Sequence, residues 1–275
     1  MKLWFSRWLT EGRPYRVFYK RFAKALEANG VMWGLLEETK DIWCRDYMPV
    51  WGAGGIPVLF RYEPSYLRKL PHYRTDAERV LWRLGLQARR SSLNFDGGNV
   101  LLHDTTAIVS DRIFGENPRW SEREVKRELI ESLELDRLIL LPAESPRYDM
   151  TGHADGMCRF IDGERILLND FSQNLSLGRR ILRILEQEGF DVERIVLGDS
   201  FYDETTDWAP YINYLKTSEA IFVPTLGKVG EGPLLARFET IFQGHRIVPV
   251  RSDEIVREGG GLNCISWEGE VDDVA

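Results

Sequence analysis

The 275-residue sequence contains few cysteines and no long apolar run. Its three cysteines are too few, and odd in number, for a disulfide framework, so we expect a free thiol. No stretch approaches the roughly 18 apolar residues that a membrane helix needs. The first residues, MKLWFSRWLTEG, also lack the apolar core and the small-residue cleavage site of a secretory signal. We therefore expect a cytoplasmic protein without a membrane partner.

The chain also lacks an excess of basic residues, since 36 Lys and Arg stand against 43 Asp and Glu. Nucleic-acid binding requires a clustered basic face, so this balance argues against a nucleic-acid partner and agrees with a small cationic ligand. Apolar residues make up 43% of the sequence, which is enough for a large core and excludes disordered and fibrous classes. No Pro-rich or Ser-rich linker interrupts the chain, and we predict a single domain over residues 1–275.

Apolar runs recur in the order strand, strand, helix, strand at intervals of roughly 40 to 60 residues, which is typical of a repeat architecture. One unit has predicted strands at 99–102, 107–109 and 138–141 and a helix at 121–133, where Ser121 and Glu124 predict a capping box. Three more units have predicted segments at 48–50, 56–60, 75–84 and a run ending at 94–95; at 158–161, 165–168, 176–187 and 195–197; and at 211–215, 220–223, 232–242 and 247–250. A fifth unit is complete only when 262–267 is joined to 2–5, 15–28 and 31–36. The pattern favours either a closed ring with adjacent chain ends or an ordinary mixed α/β sheet with hairpins.

Two motifs place a carboxylate beside a predicted strand. In WCRDYMP, Asp46 lies near the aromatic Trp43, and this pair suits a planar cation through charge-assisted hydrogen bonds and stacking. Adjacent Arg and Asp residues, such as Arg45 and Asp46, are also common on solvated surfaces. In FDGGN, the two glycines are typical of a tight turn with positive φ, and Asp96 is alternatively available to orient a catalytic base.

His153 and Cys264 are the candidates for proton transfer and nucleophilic attack. His153, in TGHADGMCRF, lies just before a predicted strand, and an imidazole transfers protons in both directions near neutral pH. Cys264 follows three glycines in GGGLNC, which allow the backbone to approach a ligand closely. An ordinary thiol is only about 3% thiolate at neutral pH, so a nucleophilic Cys264 needs a nearby cation, which a guanidinium substrate would itself supply. Cys158 is interpreted as a core residue, and Cys44 is ambiguous.

Together and in this order, WCRDYMP, FDGGN, TGHADGMCRF, PYINY and GGGLNC resemble the agmatine deiminase and bacterial peptidyl-arginine deiminase family of the guanidine-modifying superfamily. The resemblance implies the pentein fold, a five-bladed α/β propeller of pseudo-fivefold ββαβ repeats around a central active site. It also implies a hydrolase that converts a guanidine group to a ureido product and ammonia, with no metal or organic cofactor. The implied substrate is a small cationic guanidine, such as agmatine or arginine, or a peptidyl arginine.

The resemblance further implies a role for each matching residue. Cys264 would attack the guanidinium carbon, and His153 would protonate the departing nitrogen and then activate the hydrolytic water. Asp46 and Asp155 would pair with guanidinium N–H groups, and Asp96 would orient His153. Trp43 and Asn213 would line the pocket. Apart from the resemblance, the sequence offers Arg45, Arg159 and Glu231 for contact with the far end of the substrate, and spacing does not say which of them faces the pocket.

Three departures from the family pattern leave the substrate open. The family usually has His where this chain has Asn263, and Gly where it has Met48. The usual agmatine deiminase also begins with a longer Trp- and Pro-rich segment that helps to cover the pocket, whereas the first strand is predicted here at about Lys2. A homo-oligomer is compatible with the sequence. Two other functions stay open: an amidinotransferase or dimethylargininase-like enzyme, and a non-catalytic pentein that binds a guanidine or a partner.

Overall fold

The computed structural model describes residues 2–145, 149–198, 201–202 and 208–269. The chain forms two compact units, one of residues Met1–Arg45 with Val196–Ala275, and the other of residues Asp46–Ile195. Within the described ranges, no helix combines the length and the apolar character that crossing a membrane requires.

The elements are short, as their apolar runs predict. In chain order the strands are β1 (Lys2–Ser6), β2 (Trp33–Leu36), β3 (Val50–Trp51), β4 (Pro57–Arg61), β5 (Arg89–Asn94), β6 (Val100–His103), β7 (Thr106–Ser110), β8 (Arg137–Leu141), β9 (Cys158–Phe160), β10 (Arg165–Leu168), β11 (Asp191–Arg194), β12 (Leu215–Lys216), β13 (Ala220–Thr225), β14 (Arg246–Arg251) and β15 (Ser266–Gly269). The helices are α1 (Trp8–Glu11), α2 (Arg16–Ala28), α3 (Cys44–Tyr47), α4 (Ala77–Leu84), α5 (Arg112–Glu116), α6 (Glu122–Leu133), α7 (Leu175–Gln187), α8 (Glu231–Ile241) and α9 (Asp253–Val256).

The described strands form three-stranded sheets that share one connectivity. Their orders are β3-β4-β5, β6-β7-β8 and β9-β10-β11 in the unit Asp46–Ile195, and β12-β13-β14 and β15-β1-β2 in the other unit. In each sheet the central strand is antiparallel to the strand before it and parallel to the strand after it. The parallel pair is joined by a crossover containing a longer helix, α4, α6, α7, α8 or α2. The five predicted ββαβ repeats are therefore confirmed.

The fifth repeat joins the two ends of the chain, as the sequence predicts. Strand β1 pairs antiparallel with β15, with Leu3 opposite Glu268 and Trp4 opposite Trp267. The same strand pairs parallel with β2, so that one sheet contains both an early and a late segment. This pairing fixes the segment just after Cys264 against the first strand of the chain.

Local sequence signals explain where the crossover helix α6 begins and which face it buries. The backbone N–H of Glu124 donates to Oγ of Ser121, and the Glu124 carboxylate accepts the N–H of Ser121, so the predicted capping box is confirmed. Val125, Leu129 and Leu133 recur every four residues and are fully buried. Burial of such a side chain contributes about 1.5–3 kcal/mol, which holds the helix on its sheet.

Two predicted strand positions are wrong. Residues 195–197 were expected as a strand, but β11 is the more polar segment Asp191–Arg194, which pairs with β10. The apolar run 211–215 is mostly not a strand either, because Pro210–Ile212 forms a 3-10 turn. In the first run Ile195 and Leu197 are buried and Val196 is exposed, and in the second Tyr211, Ile212 and Tyr214 are buried. These buried side chains fill the core from outside a strand, and an apolar run alone does not distinguish such a segment from a strand.

Candidate active site

Two carboxylates flank one buried imidazole in the unit Asp46–Ile195. His153 precedes the 3-10 turn Ala154–Gly156, Asp96 precedes the 3-10 turn Gly97–Asn99, and Asp46 lies in α3. Nε2 of His153 donates a hydrogen bond to Oδ2 of Asp96 over 3.0 Å, and its Nδ1 lies 3.6 Å from Oδ1 of Asp46. All three side chains are buried, so little water screens their charges. With their neighbours described below, they form the His153 cluster: Asp46, Tyr66, Asp96, His153 and Asp155.

The carboxylates of the cluster favour the protonated form of His153. Burial alone lowers the pKa of an imidazole, but the charge of Asp46, the hydrogen bond to Asp96 and the charges of Asp96 and Asp155 outweigh burial here. Together they raise the pKa of His153 to about 10. At neutral pH the ring is therefore an imidazolium with an N–H on both nitrogens, which is the state that a general acid requires.

Gly98 provides the space for this arrangement. A Cβ atom on Gly98 would lie 2.5 Å from Oδ1 of Asp46 and 2.6 Å from Nδ1 of His153. The backbone N–H of Gly98 donates to the same Asp46 oxygen over 3.1 Å. The positive φ expected for these glycines is wrong, because Gly97–Asn99 forms a 3-10 turn, a conformation with negative φ. The second glycine of FDGGN is thus required for close approach to the cluster.

Asn99 holds the segment that carries His153. Its Oδ1 accepts the backbone N–H of Ser110, at the end of β7, over 3.0 Å and that of Ala154 over 3.2 Å. The hydroxyl of Ser110 donates to the carbonyl of Gly152 over 2.6 Å. The backbone on both sides of His153 is therefore tied to β7 by buried hydrogen bonds, a role for Asn99 that the sequence did not reveal.

Tyr66 belongs to the cluster although no motif contains it. It lies in the 3-10 turn Ser65–Leu67, between β4 and α4, and its hydroxyl donates to Oδ2 of Asp96 over 3.0 Å. Its ring meets the His153 ring edge-on, with centroids 6.3 Å apart. Burial and the negative charge of Asp96 raise the pKa of Tyr66 well above its usual value, so the phenol stays protonated and donates. The surrounding sequence, RYEPSYLRKL, has the composition of an ordinary loop and gives no signal for this role.

The other candidate residues lie in the unit Met1–Arg45 with Val196–Ala275, around residues 259–264, the Cys264 loop. Cys264 is partly exposed, and its backbone N–H donates to Oδ1 of Asn213 over 3.2 Å. The N–H of Asn263 donates to the carbonyl of Asn213 over 3.2 Å, and the carbonyl of Cys264 accepts the N–H of Arg45 over 3.1 Å. The backbone of the predicted nucleophile is thus held on both sides, mainly by Asn213.

The glycines of this loop are packed against protein side chains. A Cβ atom on Gly260 would lie 2.2 Å from the ring of Trp43, and one on Gly261 would lie 2.7 Å from Cβ of Asn213. Gly259 has a φ of 94°, a left-handed conformation that a side chain would strain. Trp43 and Asn213 therefore pack closely on these two glycines and fix the path of the loop, and close approach of a ligand stays a prediction.

The three residues that the sequence offered for contact with the far end of the substrate have separate surroundings. Nε of Arg45 donates to the carbonyl of Asn263 over 3.4 Å, next to the Cys264 loop, whereas Arg159 lies half-buried in β9. Glu231 is buried and accepts the backbone N–H groups of Leu226 and Gly227 and the hydroxyl of Tyr211. Its carboxylate thus stabilises the loop before α8.

The other two cysteines are core residues. Sγ of Cys44 donates to the carbonyl of Ile265 over 2.9 Å, which resolves its ambiguity in favour of packing. Burial raises the pKa of Cys158 to about 12 and outweighs the opposing charge of Arg159. Cys264 is the most exposed of the three thiol-bearing residues and the one best placed to react.

The sequence matches a family model over almost its whole length. The model describes the Porphyromonas-type peptidyl-arginine deiminases and covers residues 9–269. The chain belongs to this family. The matched region includes both the His153 cluster and the Cys264 loop.

Individual relatives of this family member are distant in sequence. An agmatine deiminase of Pseudomonas aeruginosa strain UCBPP-PA14 is 24% identical in an alignment that covers 79% of this chain and 66% of the relative. The chain spans 55% to 66% of the length of the first curated relatives that it matches.

Solved structures show the same fold. The agmatine deiminase of Enterococcus faecalis superposes with a TM-score of 0.77 at 15% identity, covering 97% of this chain and 92% of that chain. The C. jejuni agmatine deiminase with substrate bound gives a TM-score of 0.77 at 16% identity, with the same coverage. Together with the five ββαβ repeats, this likeness confirms the predicted pentein fold class.

Proposed function

We propose that the protein is a hydrolase that deiminates a guanidine group of the agmatine, arginine or peptidyl-arginine type. The observation that carries the proposal is the His153 cluster, in which a buried imidazolium lies between two carboxylates. Such a cluster combines a proton donor with anionic partners for a planar cation. Membership of the peptidyl-arginine deiminase family supports this chemistry, and so do relatives that are named agmatine deiminases. The family match extends through both compact units, which supports one deiminase domain over residues 1–275.

In the first half of the proposed reaction, the Cys264 thiolate attacks the guanidinium carbon and a C–S bond forms. Asp46 and Asp155 accept hydrogen bonds from the guanidinium N–H groups and hold the carbon in position. The C–N bond to the leaving nitrogen then breaks, and His153 supplies the proton with which that nitrogen departs as ammonia. Asp96 keeps the imidazolium oriented during this transfer. The product of this half is a thiouronium adduct on Cys264.

In the second half, water attacks the carbon of the adduct. His153, now neutral, accepts one proton from this water, a C–O bond forms, and the C–S bond breaks to return the thiolate. The new oxygen loses its remaining proton to solvent, where the released ammonia takes up a proton and becomes ammonium. The sum is one guanidinium and one water converted to one ureido product and one ammonium ion. Trp43 is proposed to line the pocket, Asn213 to position the Cys264 loop, and Arg45 and Arg159 to contact the far end of the substrate.

Ammonia release from agmatine, free arginine and a peptide containing arginine tests the proposal. We expect at least one of these compounds to yield ammonia and the matching ureido product, and Cys264→Ala to abolish turnover. Cys158→Ala is the matched control, because it also removes a thiol but from the core. Full activity in Cys264→Ala, or no turnover of any guanidine by the unaltered protein, would contradict the proposal.

A further inference from the structure

Tyr66 and His153 share one oxygen atom of Asp96. The phenol of Tyr66 donates to Oδ2 over 3.0 Å, and Nε2 of His153 donates to that same Oδ2 over 3.0 Å. Both donors share the negative charge of one oxygen atom. The hydrogen bond from either donor therefore weakens the electrostatic attraction between Asp96 and the other donor. The protonation of His153 is therefore linked to a tyrosine that lies outside all five motifs.

Several contacts fix Tyr66 at this position. The N–H and hydroxyl of its neighbour Ser65 donate to Oε2 and Oε1 of Glu116 over 2.9 and 2.6 Å. Nη2 of Arg112 donates to Oγ of Ser65 and to Oε1 of Glu116, each over 3.1 Å. The guanidinium of Arg112 also lies over the Tyr66 ring, 5.8 Å from its centroid. A hydrogen-bonded ion pair that is mostly buried thus holds the ring in addition to Asp96.

Tyr66 differs in charge from the other groups of the cluster that face His153. Asp46 faces the imidazole from α3, Asp96 from the segment before Gly97, and Asp155 from the turn that follows His153. These three are acidic and all favour the imidazolium. Tyr66 contributes a neutral donor on Asp96, and the positive charge of Arg112 lies behind its ring. The N–H of Gly98 donates to Asp46, and Tyr66 plays the matching part at Asp96, where it withdraws part of the carboxylate charge from His153.

We propose that Tyr66 is a positioning residue that fixes Asp96 against His153 and moderates the charge that Asp96 presents to it. The proposal deepens the proposed function, on which it rests, because an acid that must first donate and then accept a proton cannot be held too firmly in its charged form. Tyr66 acts through Asp96 and is assigned no contact with the substrate.

The test is an NMR titration of His153 in the full chain, without substrate. Only four histidines occur in the sequence, and comparison with His153→Gln assigns the signal. Tyr66→Phe removes the phenol donor and keeps the ring that meets His153 and Arg112. We expect this variant to raise the pKa of His153 by about half a unit to one unit, because Asp96 then directs more of its charge to the imidazolium. Tyr73→Phe is the control, since Tyr73 packs on His72 and is exposed.

An unchanged or lowered pKa of His153 in Tyr66→Phe would overturn the proposal, and so would an equal rise in Tyr73→Phe. The titration needs no turnover, so it gives an answer even where the guanidine assays fail. Where turnover is observed, the alkaline limb of the kcat/KM profile should move upward by the same amount in Tyr66→Phe. A loss of activity without that movement would indicate a merely structural role and would also overturn the proposal.

Discussion

The side chain of Asn213 accepts the backbone N–H of Cys264 over 3.2 Å, while its own carbonyl accepts the N–H of Asn263 over 3.2 Å. One buried residue therefore holds two consecutive amides of the loop that carries the predicted nucleophile. The sequence indicated Asn213 as a residue that lines the pocket. Its contacts support a different proposal, in which Asn213 determines where the thiol lies.

Asn213→Ala should reduce kcat/KM by about 10-fold, because the Cys264 amide loses its partner and the thiol loses its fixed position. The free energy of unfolding should also fall, by about 1–3 kcal/mol, since a largely buried amide is left without an acceptor. Asn174→Ala is the control for stability alone, because Asn174 caps α7 through the N–H of Leu177. It should lower the midpoint of thermal unfolding and leave kcat/KM unchanged. Equal losses of activity in the two variants would argue against the positioning role.

Gly98→Ala should lower kcat/KM by about 100-fold with little change in fold. The added methyl would lie within 2.6 Å of both Asp46 and His153, so at least one of them must move by a large part of an ångström. Gly115→Ala is the matched control, because a Cβ atom there meets nothing within 4 Å. The comparison requires kinetic assays and circular dichroism of both variants. Comparable activity of Gly98→Ala and the unaltered protein would show that the cluster tolerates the displacement.

Alkylation of the native protein should modify Cys264 first. Cys44 and Cys158 are buried, and the pKa of Cys158 is raised to about 12, so neither offers an accessible thiolate. Brief treatment with iodoacetamide, followed by peptide mass spectrometry, gives the order of modification. Cys264→Ser should leave the folded protein unlabelled, and unfolding it should expose the other two. Early labelling of Cys158 would contradict the assignment of that residue to the core.

Much of the repeat pattern is predictable, because the spacing of apolar residues in a segment indicates whether that segment forms a helix or a strand. The segments of β6, β7, α6 and β8 follow from alternating apolar runs and from the capping residues Ser121 and Glu124. Strand β11 does not, because it is polar and its place depends on pairing with β10, a partner that its own side chains do not specify.

The candidate site was less accessible to sequence reasoning. Asp46, Asp96 and His153 are far apart in the chain, and their spacing alone does not predict that both carboxylates lie beside the imidazole of His153. The family resemblance named all three, because it carries spatial information that a single chain lacks. The roles of Tyr66 and Asn99 were not predicted, since they consist of hydrogen bonds to residues that come close only in the folded chain.

The stability of the protein should depend on pH through His153. Its pKa is raised from 6.5 to about 10 in the folded state, so the stabilisation by its carboxylate partners is complete below pH 6.5 and is lost as the pH rises towards 10. His153→Gln removes this contribution at every pH. The difference in free energy of unfolding between the two proteins should therefore be largest near pH 6, on the order of 1–3 kcal/mol, and should shrink by pH 10. Urea titrations across this range measure it, with His103→Gln as the control for loss of a partly exposed histidine. A difference that stays constant or grows with pH would mean that the carboxylates do not hold His153 in its charged form.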